Sequence, residues 1–366
     1  TFDIEVPAMF WADGDLDEPE PILVSVRRKS ADALGDKVSL KIDINEFVDQ
    51  EWNGVKKLSL ENGDDVDVVA EGFAWYLNRV AADSSTSGYK PGLAAWIRLY
   101  VNGEYLGVYV NVEQRDKTFL KNRGLYTKGE TWLYKAGEIW EDHELKVGDP
   151  DSPTSKALCY SPFATNDSSD GGSKGKGKGK KGGGGSTTSC NSPASDSEMA
   201  AELNRLIDME AMLVQGAVSA FTLGNDALFS KGKNFYYIDF LGGHKRLYIP
   251  WDLDSVFVPE VPDGSIYGTE KRRRGETVLS QTAYQEVILN NPTFRFQYDR
   301  IMAGLLNGPL HADVQVAFLN DLEAMLTSAL EDDPHNNLKV SVPVRFDILR
   351  EWVRDRVIRR NEQLGN

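Results

Sequence analysis

The stretch LYVNGEYLGVYV, residues 99–110, decides the fold class of this chain. Asn102-Gly103 separates two runs of bulky residues. Asn-Gly accepts positive φ at both turn positions, so residues 95–109 read as a β-hairpin. Upstream, KVSLKIDI (37–44) alternates strictly, with Val38, Leu40, Ile42 and Ile44 on one face and Lys37, Ser39, Lys41 and Asp43 on the other, which predicts a strand. Residues 65–82 place Val69, Phe73, Leu77 and Val80 on one helical stripe. Downstream, residues 198–223 predict one long helix with Leu203, Leu206, Ile207, Leu213, Val214, Ala217 and Phe221 on its apolar face, stopped by Gly224-Asn225. Residues 234–240 and 245–250 predict a second hairpin around Gly242-Gly243, and residues 293–306, 311–330 and 343–364 predict further helices. The last of these turns Phe346, Leu349, Trp352 and Val353 inward, with arginines elsewhere. Strands first and helices afterwards make an α+β chain.

The 366 residues are 41% apolar and 10% aromatic, enough for a sizeable core or two adjoining lobes. With 41 Lys+Arg against 56 Asp+Glu the net charge is −15, and such a surface repels phosphate backbones, which argues against nucleic acid as a partner. No window approaches the roughly 18–20 apolar residues of a membrane span. The first residues, Thr1 to Glu5, carry no basic region followed by an apolar one, and a chain starting at Thr has the look of a processed or excised domain. Two cysteines and four histidines, widely scattered, do not have the spacing of a Cys/His zinc site.

Composition changes sharply after about residue 150. Residues 150–197 are rich in Ser, Gly, Asp, Thr and Pro and contain the run GGSKGKGKGKKG (171–182), which reads as a disordered, locally cationic insertion. Cys159 and Cys190 flank its core, either as a staple in an oxidising compartment or as unrelated thiols. Asn166-Asp167-Ser168 is a glycosylation sequon.

The chemistry concentrates in GNDALFSKGKNFYYIDFLGGHKRLYIPWDLDSVF, residues 224–257. Asp226 follows a helix end, Lys233-Asn234 enters the second hairpin, and Asp252 and Asp254 leave it. Mg²⁺ takes hard oxygen ligands, usually one or two carboxylates, with phosphates and waters completing the shell. Asn234 with Asp252 or Asp254 could hold such an ion, and Asp226 could orient an attacking hydroxyl. Taken singly, each is also an ordinary helix-stop, turn or strand-end residue.

Together LYVNGEYLGVYVNVEQRDKTFL (99–120) and KNFYYIDF…YIPWDLDSVF (233–257) closely resemble the CotH family of atypical secreted protein kinases. KVSLKID (37–43) is similar to that family's Lys-x-Ser strand, and the closing helix with Arg350, Arg354, Arg356 and Arg359 to its final Arg-containing helix. The resemblance implies a reduced, protein-kinase-like fold. A strand-rich N-lobe (1–115) would cover a nucleotide, and a helix-rich C-lobe (116–366) would carry the catalytic and metal residues. It implies ATP with Mg²⁺ or Mn²⁺ as cofactors, Ser/Thr protein acceptors, and a secreted or cell-surface location. Asp226 would be the catalytic aspartate. Asn234 and Asp252 would hold metal, with Asp254 kept beside Asp252. Lys37 or Lys41 would neutralise phosphates, with Glu71 as a helix partner for the lysine, or both lysines would line a solvated strand face. Val112-Glu113-Gln114-Arg115 would join the lobes and offer backbone groups to adenine, and Trp251 would line the pocket or the core. Family members that phosphorylate Ser- and Lys-rich coat proteins suggest serines of the insertion, such as Ser173 or Ser186, as autophosphorylation acceptors.

The departures from ordinary kinases are clear. The GxGxxG match, Gly177 to Gly182, lies in the insertion with no strand before it; His-Arg-Asp and Asp-Phe-Gly are absent; and Asp226 and Asn234 are eight apart. The alternative is a surface or adhesion protein that keeps the fold without transfer. Paired glycosidase carboxylates find no support in the spacing.

Overall fold

The computed structural model describes residues 4–12, 20–29, 37–63, 67–87, 89–136, 143–149, 163, 195–242, 244–257, 265–273, 276–336 and 338–365, with backbone alone for 269–280. Cys159, Cys190, the sequon and the serines at 173 and 186 lie outside these residues.

A six-stranded antiparallel sheet forms from β1 (Val6–Phe10), β2 (Ile22–Arg28), β3 (Leu40–Asp43), β4 (Lys57–Glu61), β5 (Ala94–Val101) and β6 (Glu104–Glu113), in the order β1-β2-β3-β4-β6-β5. The β5–β6 hairpin turns at Asn102 (φ 52°) and Gly103 (φ 83°), the positive pair that the Asn-Gly step predicts. The register shifts between Leu99 and Tyr100, a local irregularity that the alternation does not announce. One face of the sheet encloses a small core of Val24, Ile42, Ile44, Leu58, Leu60 and Tyr109. The other face contributes Val108, Val110 and Val112 to the main core, which also takes in α1 (Val68–Asp83). The predicted stripe of α1 is right for Val69, Phe73 and Leu77, and the burial extends much further round the helix, to Glu71 among others.

A four-stranded sheet, β10-β9-β7-β8, joins β7 (Thr131–Ala136), β8 (His143–Val147), β9 (Phe235–Phe240) and β10 (Leu247–Pro250). The remaining elements are α2 (Lys117–Asn122), α3 (Asp196–Leu206), α4 (Met209–Thr222), which packs on β10, α5 (Ala283–Leu289), α6 (Pro292–Leu306), α7 (Ala312–Glu331), which packs on α8 and β6, α8 (Val342–Leu364), and a two-stranded ribbon, β11 (Thr269–Arg273) and β12 (Glu276–Ser280). The architecture is α+β, strand-rich then helix-rich, as a two-lobed kinase-like fold requires.

The single helix expected over 198–223 is two. Ile207 leaves α3 to bridge Arg246 in parallel, the Asp208 N–H donates to the Arg246 carbonyl (2.9 Å), and the Asp208 side chain caps α4 at the Ala211 N–H (3.0 Å). An apolar period running through both helices conceals that break. Glu210 is half-buried and accepts from Ser85 and Thr86 in the turn after α1. Phe163, inside the expected insertion, is fully buried, and its carbonyl accepts from Arg246 (2.6 Å). The arginines of α8 are not all outward: Arg356 and Arg360 are buried with Phe346, Leu349 and Val353.

Candidate active site

Where α4 ends, Leu223 adopts a left-handed backbone and the chain turns back alongside residues 255–257. The Asn225 N–H donates to the Ser255 carbonyl (3.0 Å) and the Phe257 N–H to the Thr222 carbonyl (2.9 Å), so Asp226 and Asp254 each lie one residue from a shared backbone bond. A tight turn follows, in which the Lys231 and Gly232 N–H groups both bond the Ala227 carbonyl (3.0 and 3.1 Å). It returns two ammonium groups to Asp226: Lys233 at 2.8 Å and Lys231 in direct contact. Partial burial pushes the Asp226 carboxyl up, but the hydrogen bonds from Lys231 and Lys233 outweigh it and hold the group below its ordinary value. The Trp251 N–H then donates to the Asn234 carbonyl (3.0 Å), setting Asn234 next to the Trp251-Asp252 step.

Six described non-glycine residues have positive φ, and four of them belong to this segment: Leu223 (51°), Asn234 (55°), Asp252 (57°) and Phe257 (52°). Side chains with a Cβ pay about 1–2 kcal/mol for this conformation, Asn and Asp somewhat less. Such outliers persist where surrounding structure imposes them, and they gather at functional sites.

Trp251, nearly buried, is where cations from both sheets come together. Its indole receives Lys29 from the end of β2 (5.6 Å to the ring centre), Lys135 from β7 (6.0 Å) and Arg115 from the junction after β6 (5.1 Å). Arg115 is also stacked on Trp75 (4.9 Å), and burial brings its guanidinium down to about 10. The same place concentrates carboxylates. Glu71, in the first turn of α1, is fully enclosed, and its carboxyl is held well above the usual range, first by burial, then by the negative fields of Glu61, Asp254 and Asp252, against the opposing field of Lys29. Lys29 also pairs with Glu61, which accepts from Ser59 Oγ (2.8 Å). Lys135 is lowered by burial and by Lys146, while Asp252 raises it. Asp252 and Asp254 from one side and Lys29, Glu61 and Glu71 from the other thus share one electrostatic neighbourhood.

Among the described residues no three His, Cys, Asp or Glu side chains are grouped to hold a metal ion by themselves. Asn234, Asp252 and Asp254 carry the hard-oxygen donor types that Mg²⁺ takes when phosphates and water complete its shell.

The other sequence-chosen residues are placed differently. Lys37 precedes β3 and is buried; its ammonium pairs with Asp333 at 2.8 Å and lies over the Tyr109 ring (5.0 Å). Lys41 is half-buried on β3, near Lys57, Arg27, Asp43 and Lys146, and burial followed by those like charges lowers its ammonium. The Glu113 carboxylate takes a two-pronged contact from Arg123 (2.6 and 2.7 Å) and the Leu93 N–H (3.0 Å), and its own N–H bonds the Leu93 carbonyl (2.9 Å), so it ties down the junction. Lys29, Glu61 and Lys135 were not singled out by sequence. Lys29 closes ILVSVRRK (22–29), where it looks like one more charge at a strand end.

The sequence matches the family described as CotH kinase protein over residues 24–359. This chain belongs to the CotH kinase family. The match runs from β2 through α8 and takes in every candidate site residue named above. No curated protein matches the chain. Among the described residues of this CotH-family member, no helix is long and apolar enough to cross a membrane.

Proposed function

We propose that this CotH-family protein is an ATP- and divalent-metal-dependent atypical protein kinase that phosphorylates Ser or Thr of secreted or surface proteins, with 1–115 and 116–366 as its lobes. The observation that carries the reading is the mixed charge around Trp251 and Glu71. Three cations surround Trp251, and Glu61, Glu71, Asp252 and Asp254 act on the same volume. A metal–triphosphate needs both signs of charge within a few ångströms, and an isolated anion or cation needs only one.

In this reading Asn234, Asp252 and Asp254 hold Mg²⁺ or Mn²⁺, which when bound neutralises charge on the phosphates. Lys29 and Lys135 contact phosphate oxygens, with Lys41 further along the sheet, while Lys37 stays with Asp333. Trp251 and the 112–115 junction close the nucleotide side. Asp226 accepts a hydrogen bond from the acceptor hydroxyl and aims it at the γ-phosphorus. Held ionised by Lys231 and Lys233, it orients the hydroxyl more than it removes its proton.

The test is incubation of the purified chain and a Ser/Thr-rich acceptor with γ-labelled and, separately, α-labelled ATP plus Mg²⁺ or Mn²⁺. Label from the γ position alone is expected on protein. Attachment of the α label would mean nucleotidyl transfer, and no label with either would remove the kinase assignment.

A further inference from the structure

The N-terminal part is fastened to the C-terminal helices at two points, one on the sheet and one at the start of α1. At the first, Asp333, two residues past α7, is buried against β6. One carboxylate oxygen accepts from the Val108 N–H (2.8 Å) and pairs with Lys37 (2.8 Å); the other accepts from the His335 N–H (2.9 Å). The contact is tight enough that a Cβ on Gly107 (φ 111°) would collide with the Asp333 carboxylate. Tyr105 adds a bond from its hydroxyl to the Ala329 carbonyl (2.8 Å). At the second point, Arg345 in the first turn of α8 forms an ion pair with Asp67 (2.5 Å). Asp67 is the N-cap of α1, and its other oxygen accepts from the Ala70 N–H (2.9 Å).

Glu71 lies four residues beyond Asp67 in that same first turn, and the turn is gripped from its other side by Trp96 of β5, whose indole N–H donates to the Val68 carbonyl (2.7 Å). The α7–α8 corner therefore holds, through Asp67, the turn that carries Glu71 and, through Val108, the strand that leads to the Arg115 junction. We infer that Asp333 and Arg345 are positioning residues: the corner between α7 and α8 is a rear brace that fixes the N-terminal wall of the nucleotide cleft. The brace itself follows from the contacts; its effect on nucleotide rests on the kinase reading above. Charged pairs shielded from water have a narrow range of geometry, which makes them fasteners with a defined angle as well as contacts.

Hydrogen exchange tests the brace without reference to activity. In Arg345→Met the amides of Ala70 to Ala74 should exchange about tenfold faster or more. In the double variant Lys37→Met/Asp333→Asn, which removes both charges of the buried pair, the Val108 amide should do so. Arg345→Lys should restore protection, since it keeps a cation on Asp67. Steady-state kinetics on the folded variants should show KM for ATP raised about tenfold with kcat changed by less than about threefold, the split expected when a binding wall loosens. Unchanged exchange at both places in the folded variants would overturn the brace. Faster exchange with unaltered KM would overturn its role in holding the wall. Should a variant fail to fold, exchange on the unaltered chain decides: an ATP analogue that binds the cleft must slow exchange at Val108 and Ala70 to Ala74 by linkage, and binding with no such protection refutes the coupling. An unaltered chain that binds no nucleotide refutes the kinase reading, and exchange in the variants still confirms or refutes the brace.

Discussion

Asp252 is the residue on which the most depends. It is half-exposed at the foot of β10, its backbone is left-handed, and its field reaches Glu71, Lys135 and Tyr236. Asp252→Asn keeps the volume and the local backbone preference while removing the charge. It should lower ATP-dependent transfer by about a hundredfold or more with little change in thermal unfolding; activity equal to the parent would take Asp252 out of the mechanism. Glu71 yields a pH prediction. Its folded-state proton affinity is raised by burial, so between the ordinary carboxylate range and its elevated value the folded chain holds a proton that the unfolded chain has lost. That contribution is full at acid pH and disappears as pH rises through the elevated value. With a chelator present, Glu71→Gln should therefore be more stable than the parent at pH 8 and about equal near pH 4, measured by urea unfolding; a gain at the acid end would reverse the assignment. At this scale the sequence exposes what is local. Asp226, Asn234, Asp252 and Asp254 fall within one short segment, and a reader of that segment meets them together. Lys29, Glu61 and Lys135 come from three separate strands and meet only after folding, and Lys37 is drawn to Asp333, nearly three hundred residues away.

Elements were legible where their chemistry is self-contained. Asn102-Gly103 fixes its hairpin alone, and α6, α7 and α8 follow their apolar periods with caps close to the expected ends. The break between α3 and α4 was not legible, because the residue it pairs with, Arg246 just before β10, arrives about forty residues later. Burial of Arg356 and Arg360 was hidden for a similar reason: Arg360 crosses to the Ala220 carbonyl of α4 (3.0 Å). The seating of α1 gives a test with opposed terms. Gly72→Ala should gain about 1 kcal/mol of helix propensity. The new Cβ, however, would collide with the Trp96 indole, which is tethered by its bond to Val68 and has little room to retreat. Overpacking costs about 1–3 kcal/mol, so a net loss of stability is expected by urea denaturation. A stabilised variant would show that the indole yields.

For the whole molecule, the net charge is −15, and among the described residues the buried cations Lys37, Arg115, Arg246, Arg356 and Arg360 are matched in number by the buried carboxylates Asp43, Asp67, Glu71, Asp239 and Asp333. The acidic excess therefore stays on the outside, and its self-repulsion should be relieved by salt. The unfolding temperature should rise between about 10 mM and about 300 mM NaCl, as the screening length shrinks from its dilute-buffer value. A fall would mean that the ion pairs of the interior and cleft outweigh the surface. The two-part outline was legible from the order of strands and helices. The fastening of the parts to each other was not, since it rests on single charged side chains separated by hundreds of positions.

The left-handed residues Leu223, Asn234, Asp252 and Phe257 have an evolutionary corollary. Glycine at 252 would relax the backbone there and forfeit the carboxylate. A laboratory selection scored on heat resistance alone would tend to accept such a change. Under the proposed kinase activity, progeny of that selection would unfold at a higher temperature and lose transfer, so any hardening campaign on this scaffold must count turnovers alongside melting points.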